Sequence, residues 1–399
     1  MPDPRPAHWE LTTFYRPADV IVVGAGLTGL QTALALKNAR PALDVLLLER
    51  AAVPQGASTR NAGFACFGGP TELLADLDAY GEEAVAATVG QRLAGVRALE
   101  RNFARRGIGW QKLGGYEWID DPAVADRVLS RLPALNRLLA PLTGLPRTWS
   151  VVPADDPARR PFRRGAGHVL LRNPLEAQLH PGKLVTTLLA DCRRAGVRTL
   201  FGCDITDVTN DGDRVEVTTA GGVALTAGRA VVTVNAFINR LTASPAGSRV
   251  RPVRNQVLLS RSFPDLNLRG CYHYHEGYVY FRNVGPDRLL IGGARHRAGA
   301  ASETTAFGPN GVPEAYLIDK LNTWLPGRDW SAADFPVRWS GILAQGDGKE
   351  PVLRYAAPRL LVAGRLAGMG VALSADLARR AAAHVLTEGD GAFGPATGN

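Results

Sequence analysis

Residues 24 to 29 read Gly-Ala-Gly-Leu-Thr-Gly. Glycines at this spacing let a chain turn sharply, let an anionic group approach the backbone, and let a helix pack closely on a strand. Before them, Val20 to Val23 form the short, unbroken apolar run of a buried parallel strand. After them, Leu27, Leu30, Leu34 and Leu36 mark a helix, and ALDVLLLER gives a second buried strand ending at Glu49, twenty residues past Gly29. Strand, glycine turn, helix, strand and acid is the order a dinucleotide site needs. Gly24, Gly26 and Gly29 let the pyrophosphate sit on the free N–H groups of the helix N-terminus, and Glu49 accepts hydrogen bonds from ribose hydroxyls.

A second stretch rich in reactive side chains is CYHYHEGYVYFR, residues 271 to 282, with two histidines and four tyrosines. Glu276-Gly277 suits a two-residue turn. That turn pairs His275 with Tyr278, His273 with Tyr280 and Cys271 with Arg282. Directly opposed residues share a face. One face then carries Cys271, His273, His275, Tyr278, Tyr280 and Arg282, with aromatic bodies and polar tips suited to a pocket wall. The other, with Tyr272, Tyr274, Val279 and Phe281, is a core face. Ordinary cross-strand aromatic packing is the competing reading. No acid of this stretch joins the two histidines on their face, so no metal site is expected.

Around these stretches lies a globular, loop-rich chain of 399 residues, long enough for two domains. Its net charge of +9 comes from scattered arginines and forms no basic run with interleaved aromatics, so no nucleic-acid partner is expected. Cys66, Cys192, Cys203 and Cys271 are widely spaced, which argues against a structural zinc site and a disulfide framework. No apolar run fits a signal peptide or a transmembrane segment, and a soluble cytoplasmic protein is expected. Residues 71 to 140 read as mostly helical, interrupted at Gly81 and Gly90, with a β piece at GWQKLGGYEWID. Residues 141 to 174 read as loop and hold the expected domain crossing. Pro181 and Gly196 bracket a helix. Asp211-Gly212 and Gly221-Gly222 then divide three strands into hairpins.

Two further stretches choose the dinucleotide. GASTRNAGFACFGG, residues 56 to 69, mixes small and hydroxyl residues and can run close along a cofactor, with Ser58 and Thr59 reaching phosphate or ribitol. VAGRLAGMGVALS, residues 362 to 374, is a glycine-rich turn opening a helix near Met369 to Val371. That N-terminus can stabilise negative charge on a reduced flavin. A nicotinamide enzyme needs no such returning turn, so the cofactor is read as FAD.

With these motifs in order (VVGAGLTGL, LLER, GASTRNAGF, LHPGKLVTTLL, VVTVNAF and VAGRLAGMGVALS) the chain, from about Asp19 to about Leu386, resembles the FAD-dependent D-amino-acid oxidase superfamily, which includes glycine, sarcosine and γ-glutamylputrescine oxidases. The resemblance implies an α/β fold in which a Rossmann-type FAD-binding domain (residues 1–90, 165–240 and 340–399) is interleaved with a β-sheet-based substrate domain (91–164 and 241–339), with the isoalloxazine ring at their interface. It implies that Glu49 and Arg50 lie by the adenosine ribose and Ile205 by the adenine. Ser58, Thr59, Arg60, Asn61, Ala62 and Gly63 would run along the ribityl chain and ring, and Gly364, Gly368, Met369, Gly370 and Val371 would face the flavin pyrimidine. It places the sheet after Pro252 to Gln256, with His273, Tyr278 and Tyr280, over the flavin.

The activity implied is removal of a hydride from the carbon beside a neutral amine, giving an imine and then a carbonyl, with oxygen or a quinone as electron acceptor. The arginine that family members place after Trp-x-Gly to grip a substrate carboxylate is missing from RWSGILAQGDGKEP, where Ile342 and Leu343 stand. Arg254, Arg282 or Arg365 could replace it. No histidine lies in the RNAG stretch and Cys66 is small and expected to be buried, so the FAD is expected to be non-covalent. A flavin monooxygenase ranks lower, because the last turn reads Gly364-Arg365 and not Gly-Asp. A flavoprotein acting on RNA, and a flavin-binding protein without turnover, are the remaining alternatives.

Overall fold

A computed structural model describes residues 6–163, 168–242 and 250–387. The fold is mixed α/β and divides into two units. The first comprises Met1–Thr59, Gly182–Pro252 and Leu343–Asn399, the second Arg60–Pro181 and Val253–Ile342.

At the centre of the first unit lies the parallel sheet read from the sequence. Its order is Val352–Ala357, Leu360–Gly364, Ala224–Val232, Ala18–Val23, Val45–Glu49 and Arg198–Phe201. Val352–Ala357 is antiparallel to its neighbour. Val20, Ile21 and Val22 are fully buried, as a strand covered on both faces must be. The Leu27–Ala39 helix follows the glycine turn and packs against the Gly370–Thr387 helix, where the Gln31 side-chain amide donates to Ser374 Oγ (2.8 Å). The Pro181–Arg194 helix stands where Pro181 and Gly196 bracket it, and both hairpins of Ile205–Asn210, Val215–Thr219 and Ala224–Val232 form at the expected turns.

In the second unit an eight-stranded sheet runs Val337–Gln345, Arg251–Leu259, Arg288–Gly293, Val279–Val284, Cys271–Tyr274, Gly115–Ile119, Val169–Asn173 and Ser150–Val151. Most pairs are antiparallel, but Cys271–Tyr274 and Gly115–Ile119 run parallel. One face is a large aromatic core in which Tyr272 stacks on Tyr116 and Phe281, and Phe281 on Trp324. A second core lies where the Pro70–Phe103 and Pro122–Thr143 helices pack together. Asp121 caps the latter, its carboxylate accepting from the Ala123 and Val124 N–H groups.

Three local readings change. Gly81, with φ +80°, does kink the Pro70–Phe103 helix, but Gly90 lies inside it without a break. Residues 141–174, read as loop, contain the end of a helix and the strands Ser150–Val151 and Val169–Asn173. Residues 60–90 and 165–181, expected in the nucleotide-binding domain, belong to the second unit, and the crossing falls at 181/182. The physical reason is pairing: Val169–Asn173 hydrogen-bonds to Gly115–Ile119, and the long helix needs its partner helix to bury Val85, Val89 and Leu93.

The two helical glycines should respond oppositely to alanine. A Cβ at Gly29 would lie 1.9 Å from the Gly24 carbonyl oxygen and 2.6 Å from Thr233 Oγ1, whereas at Gly90 its nearest neighbour is Leu142 Cδ2 at 3.8 Å. Gly29→Ala is expected to cost about 3 kcal/mol in denaturant unfolding. Gly90→Ala is expected to add about 0.5–1 kcal/mol.

Candidate functional site

In the first unit the glycine turn is built from close approaches. Gly24 has φ +102°, a left-handed conformation. Its N–H donates to the Leu48 carbonyl (2.8 Å), and the Thr233 hydroxyl donates to the carbonyls of Val23 (2.8 Å) and Gly24 (3.0 Å). Gly29 fits under the Gly24 carbonyl only because it lacks a Cβ. A Cβ at Gly26, the helix N-cap, would come 2.9 Å from Ser58 Oγ, which accepts the Leu27 N–H (2.8 Å). Thus Gly24, Gly26, Gly29 and Ser58 meet at one helix N-terminus, the place where a phosphate is favoured. Thr59 turns away and donates to the Pro54 carbonyl (2.9 Å).

Glu49 ends the second strand beside this turn. One carboxylate oxygen accepts the Ala25 N–H (3.0 Å) and the other the Ala51 N–H (3.3 Å). Burial raises its carboxyl above the usual range, against those two N–H groups and Arg50. Arg50 lies with its guanidinium 4.2 Å over the Phe237 ring. The Cys203 N–H donates to the Glu49 carbonyl (2.9 Å), so buried Ile205 opens its strand nearby.

The returning turn is also tight. A Cβ at Gly364 would lie 2.6 Å from Ile238 Cδ1, and the Leu366 N–H is held by the Asn235 side chain (3.2 Å). Arg365, Ala367 and Gly368 all have positive φ, and the helix begins at Gly370, with Met369 just before it and Val371 buried. Arg365 is engaged: its Nε and an Nη donate to the Glu350 carbonyl at 3.1 and 2.7 Å.

In the second unit the hairpin has the expected register. Cys271 opposes Arg282, Tyr272 opposes Phe281 and His273 opposes Tyr280. Glu276 (φ +54°) and Gly277 (φ +74°) form the turn, and the Tyr278 N–H donates to the His275 carbonyl (2.9 Å). Arg282, buried, is a clamp on backbone. Its Nε donates to the Ala62 carbonyl (2.5 Å) and its two Nη atoms to the carbonyls of Leu179 (3.1 Å) and Asn283 (3.4 Å). It fixes the stretch in which Asn61 accepts the Gly63 N–H (2.7 Å) and Arg60 donates to the Ser340 carbonyl (3.0 Å). Arg254 does not join this face. By strand alternation it falls with Gln256 and Leu258, and Leu258 lies in the aromatic core.

His273 has the acidic neighbours that its own stretch lacks. Glu117 opposes it on the parallel strand, and Glu176 Oε2 lies 3.4 Å from its Nε2. Burial pulls His273 down, but Glu176, Glu117 and Glu72 outweigh it and hold it above its ordinary value. Glu117 accepts the N–H (3.0 Å) and the hydroxyl of Thr71, while Thr71 Oγ accepts the N–H of the turn residue Glu276 (3.0 Å). Arg92, buried, donates to Glu72 (3.2 Å) and to the Phe67 carbonyl (3.1 Å). Tyr280 lies beside Asn255, and burial pushes its phenol up to about 12. Cys66 is buried and its thiol is raised well above the usual value, chiefly by that burial. Among the described residues no group of three His, Cys, Asp or Glu side chains is arranged to hold a metal, and no helix is long and apolar enough to cross a membrane.

The sequence reading missed Glu117, Glu176 and Asn255. The acid between two aromatics in Tyr116-Glu117-Trp118 was the available signal, since strand alternation turns it away from the core that holds both rings.

A parallel sheet with a glycine turn, a helix N-terminus and an acid at the end of the next strand defines a dinucleotide-binding protein of the Rossmann class. The family model DAO, FAD dependent oxidoreductase, matches residues 19–384, and the chain belongs to that family. The probable oxidoreductase OrdL of Rhizobium meliloti (strain 1021) is 26% identical over 366 residues, spanning 90% of this chain and 81% of OrdL. The fold is similar to that of glycine oxidase from Geobacillus kaustophilus (TM-score 0.71, 19% identity, 92% of this chain and 94% of that one). It is similar also to that of iminodiacetate oxidase from Chelativorans sp. BNC1 (TM-score 0.70, 18% identity, 94% and 97%).

Glu117 makes a test of the buried cluster. Burial pushes its carboxyl up to about 7, against the Thr71 hydroxyl and N–H and His273, which lower it. The folded state therefore keeps a proton that the unfolded chain releases, and this group's contribution falls as pH rises from the ordinary glutamate value to about 7. Glu117→Gln is expected to gain roughly 1–3 kcal/mol over wild type at pH 8 and close to nothing near pH 4. Denaturant titrations of both proteins across this range check it, and a difference independent of pH contradicts it.

Proposed function

We propose that this protein oxidises an amine or amino acid at the carbon beside nitrogen, giving an imine that hydrolyses to a carbonyl, with a non-covalently held FAD. The observation that carries the reading is the cradle at Gly24, Gly26 and Gly29. It leaves no room for Cβ atoms at Gly26 and Gly29 and directs a helix N-terminus at an anionic group. FAD, when bound, supplies the hydride acceptor.

The chain's own residues then have definite roles. Backbone N–H groups of the turn would bind the pyrophosphate, and Glu49, held by the Ala25 and Ala51 N–H groups, would accept from a ribose hydroxyl. The N-terminus of the Gly370–Thr387 helix would favour negative charge on a flavin bound there. Arg282, through the Ala62 carbonyl, keeps the Arg60–Gly63 stretch in place. Tyr278 and Tyr280 orient the amine. With its phenol near 12, Tyr280 stays protonated at neutral pH and acts as a hydrogen-bond donor, not a base. His273, turned to Glu176, holds the sheet and takes no proton from substrate. The raised, buried Cys66 thiol is a poor candidate for a flavin link, which supports dissociable FAD. The reaction takes place in the cytoplasm with oxygen or a quinone as acceptor.

An anaerobic panel of primary and secondary amines and both enantiomers of amino acids tests this. At least one is expected to bleach the flavin absorbance, and Tyr280→Phe is expected to slow that bleaching about 10-fold, the value of one hydrogen bond to a reacting group. A flavin that no amine reduces, but that NADPH does, contradicts the proposal.

A further inference from the structure

The long helix Pro70–Phe103 begins without a capping side chain of its own. Its N-cap is Gly69 and its first residue is Pro70, which has no N–H, so the Thr71 N–H is the first donor that needs an acceptor. The Pro122–Thr143 helix also opens on proline, but its own N-cap residue, Asp121, supplies the carboxylate. For Thr71 the acceptor comes from another element. Glu117, on the Gly115–Ile119 strand, accepts that N–H (3.0 Å) and the Thr71 hydroxyl. Glycine at position 69 makes room for it, since a Cβ there would lie 3.0–3.2 Å from the three carboxyl atoms of Glu117. Glu117 is thus a helix cap supplied across the fold, and it is fully buried.

The same hydroxyl holds the hairpin turn. His275 (φ +52°) and Glu276 (φ +54°) are consecutive non-glycine residues in the left-handed region, a strained arrangement that needs support from outside the turn. The Glu276 N–H donates to Thr71 Oγ (3.0 Å), which ties the turn to the helix N-terminus. A threonine hydroxyl has one proton to give and two lone pairs. While Glu117 is ionised, Thr71 must donate to it, and a hydroxyl that donates to a carboxylate is a stronger acceptor for the Glu276 N–H. A protonated Glu117 donates to Thr71 instead and competes with that N–H for the oxygen. Burial pushes the Glu117 carboxyl up to about 7, against Thr71 and His273, which lower it, while Glu72 adds to the rise. His273 faces Glu117 from the parallel strand and Glu72 from the first turn of the helix. Beyond them lie Glu176, 3.4 Å from His273, Arg92, 3.2 Å from Glu72, and Arg295, which also faces Glu72. On the other neighbouring strand Leu171 opposes Glu117 and brings no charge.

We propose that Glu117 is a proton-operated cap: ionised, it caps the Pro70–Phe103 helix and tightens the hairpin turn through Thr71, and protonated, it lets that turn loosen. The device is a pH-sensitive switch contained within the second unit, and it stands apart from the amine-oxidation reading. Its two effects have opposite signs. Ionising a buried carboxyl costs the whole fold stability, yet it holds the turn at Glu276 more closely. Any ligand contact made by Tyr278, two residues on, would follow the same titration.

Hydrogen exchange of the full chain tests this, read by mass spectrometry on the peptide that contains Glu276. It is followed from about pH 5.5 to about pH 8.5 and corrected for the intrinsic exchange rate. In wild type the protection of that amide is expected to rise about 10-fold across the range, the worth of one hydrogen bond, with its midpoint near neutral pH. Global stability to denaturant is expected to fall over the same range. Glu117→Gln keeps the shape of the side chain but has no charge to gain, and its protection is expected to be independent of pH. Thr71→Val removes the hydroxyl between Glu117 and the turn, and its protection is expected to be low at every pH. Wild-type protection that is independent of pH, or that falls together with global stability, overturns the inference. So does a Glu117→Gln or Thr71→Val protein whose protection still rises as that of wild type does.

Discussion

Two pieces of backbone in this protein come closer than a side chain allows. The carbonyl of Gly24 sits where a Cβ of residue 29 would be, with Thr233 Oγ1 filling the remaining space and donating to the same carbonyl. Only glycine at both positions lets the Ala18–Val23 strand pass into the Leu27–Ala39 helix within so few residues. The helix N-terminus then lies close against the sheet, with Glu49 one strand away and tied to the turn through the Ala25 N–H. A cofactor bound by its phosphates needs that geometry before any side chain contributes. The strand that leads into the returning turn, Leu360–Gly364, belongs to the same sheet, and the Gly370–Thr387 helix that follows packs against the Leu27–Ala39 helix.

The second unit solves a different problem, that of charge inside an apolar sheet. Glu117, Glu176, His273, Arg92 and Arg282 are all nearly inaccessible to water. Burying such groups is costly unless each is paired or hydrogen-bonded, and here they are used to hold backbone. Arg282 gathers three carbonyls, Arg92 holds the Phe67 carbonyl, and Glu176 accepts the Phe67 N–H (3.0 Å). Glu117 reaches the strained hairpin turn through Thr71. The polar side chains of the hairpin therefore divide in two. Cys271, His273 and Arg282 support the sheet, Tyr280 packs on Phe64, and Tyr278 lies beside the turn.

What the sequence made legible was local. The glycine spacing, the acid after the second strand and the hairpin register at Glu276-Gly277 each depend on residues close in the chain, and each has its expected form. What it hid depends on which strands become neighbours. The parallel pairing of Cys271–Tyr274 with Gly115–Ile119 brings Glu117 to His273, and no spacing within either segment announces it. Arg282 reads as a binding residue until the Ala62 and Leu179 carbonyls are seen to occupy it. Gly90 passed for a helix break because glycine's cost in a helix is small beside the packing of that helix on its partner.

The central claim is that this cradle holds FAD without a covalent bond. The direct measurement is the visible absorbance of the purified protein, loaded with FAD where needed, before and after acid precipitation. The account predicts the two flavin bands in the native protein and all of the chromophore in the supernatant. A colourless protein that takes up no added FAD would contradict the cradle itself. A chromophore that stays with the pellet would contradict dissociable binding.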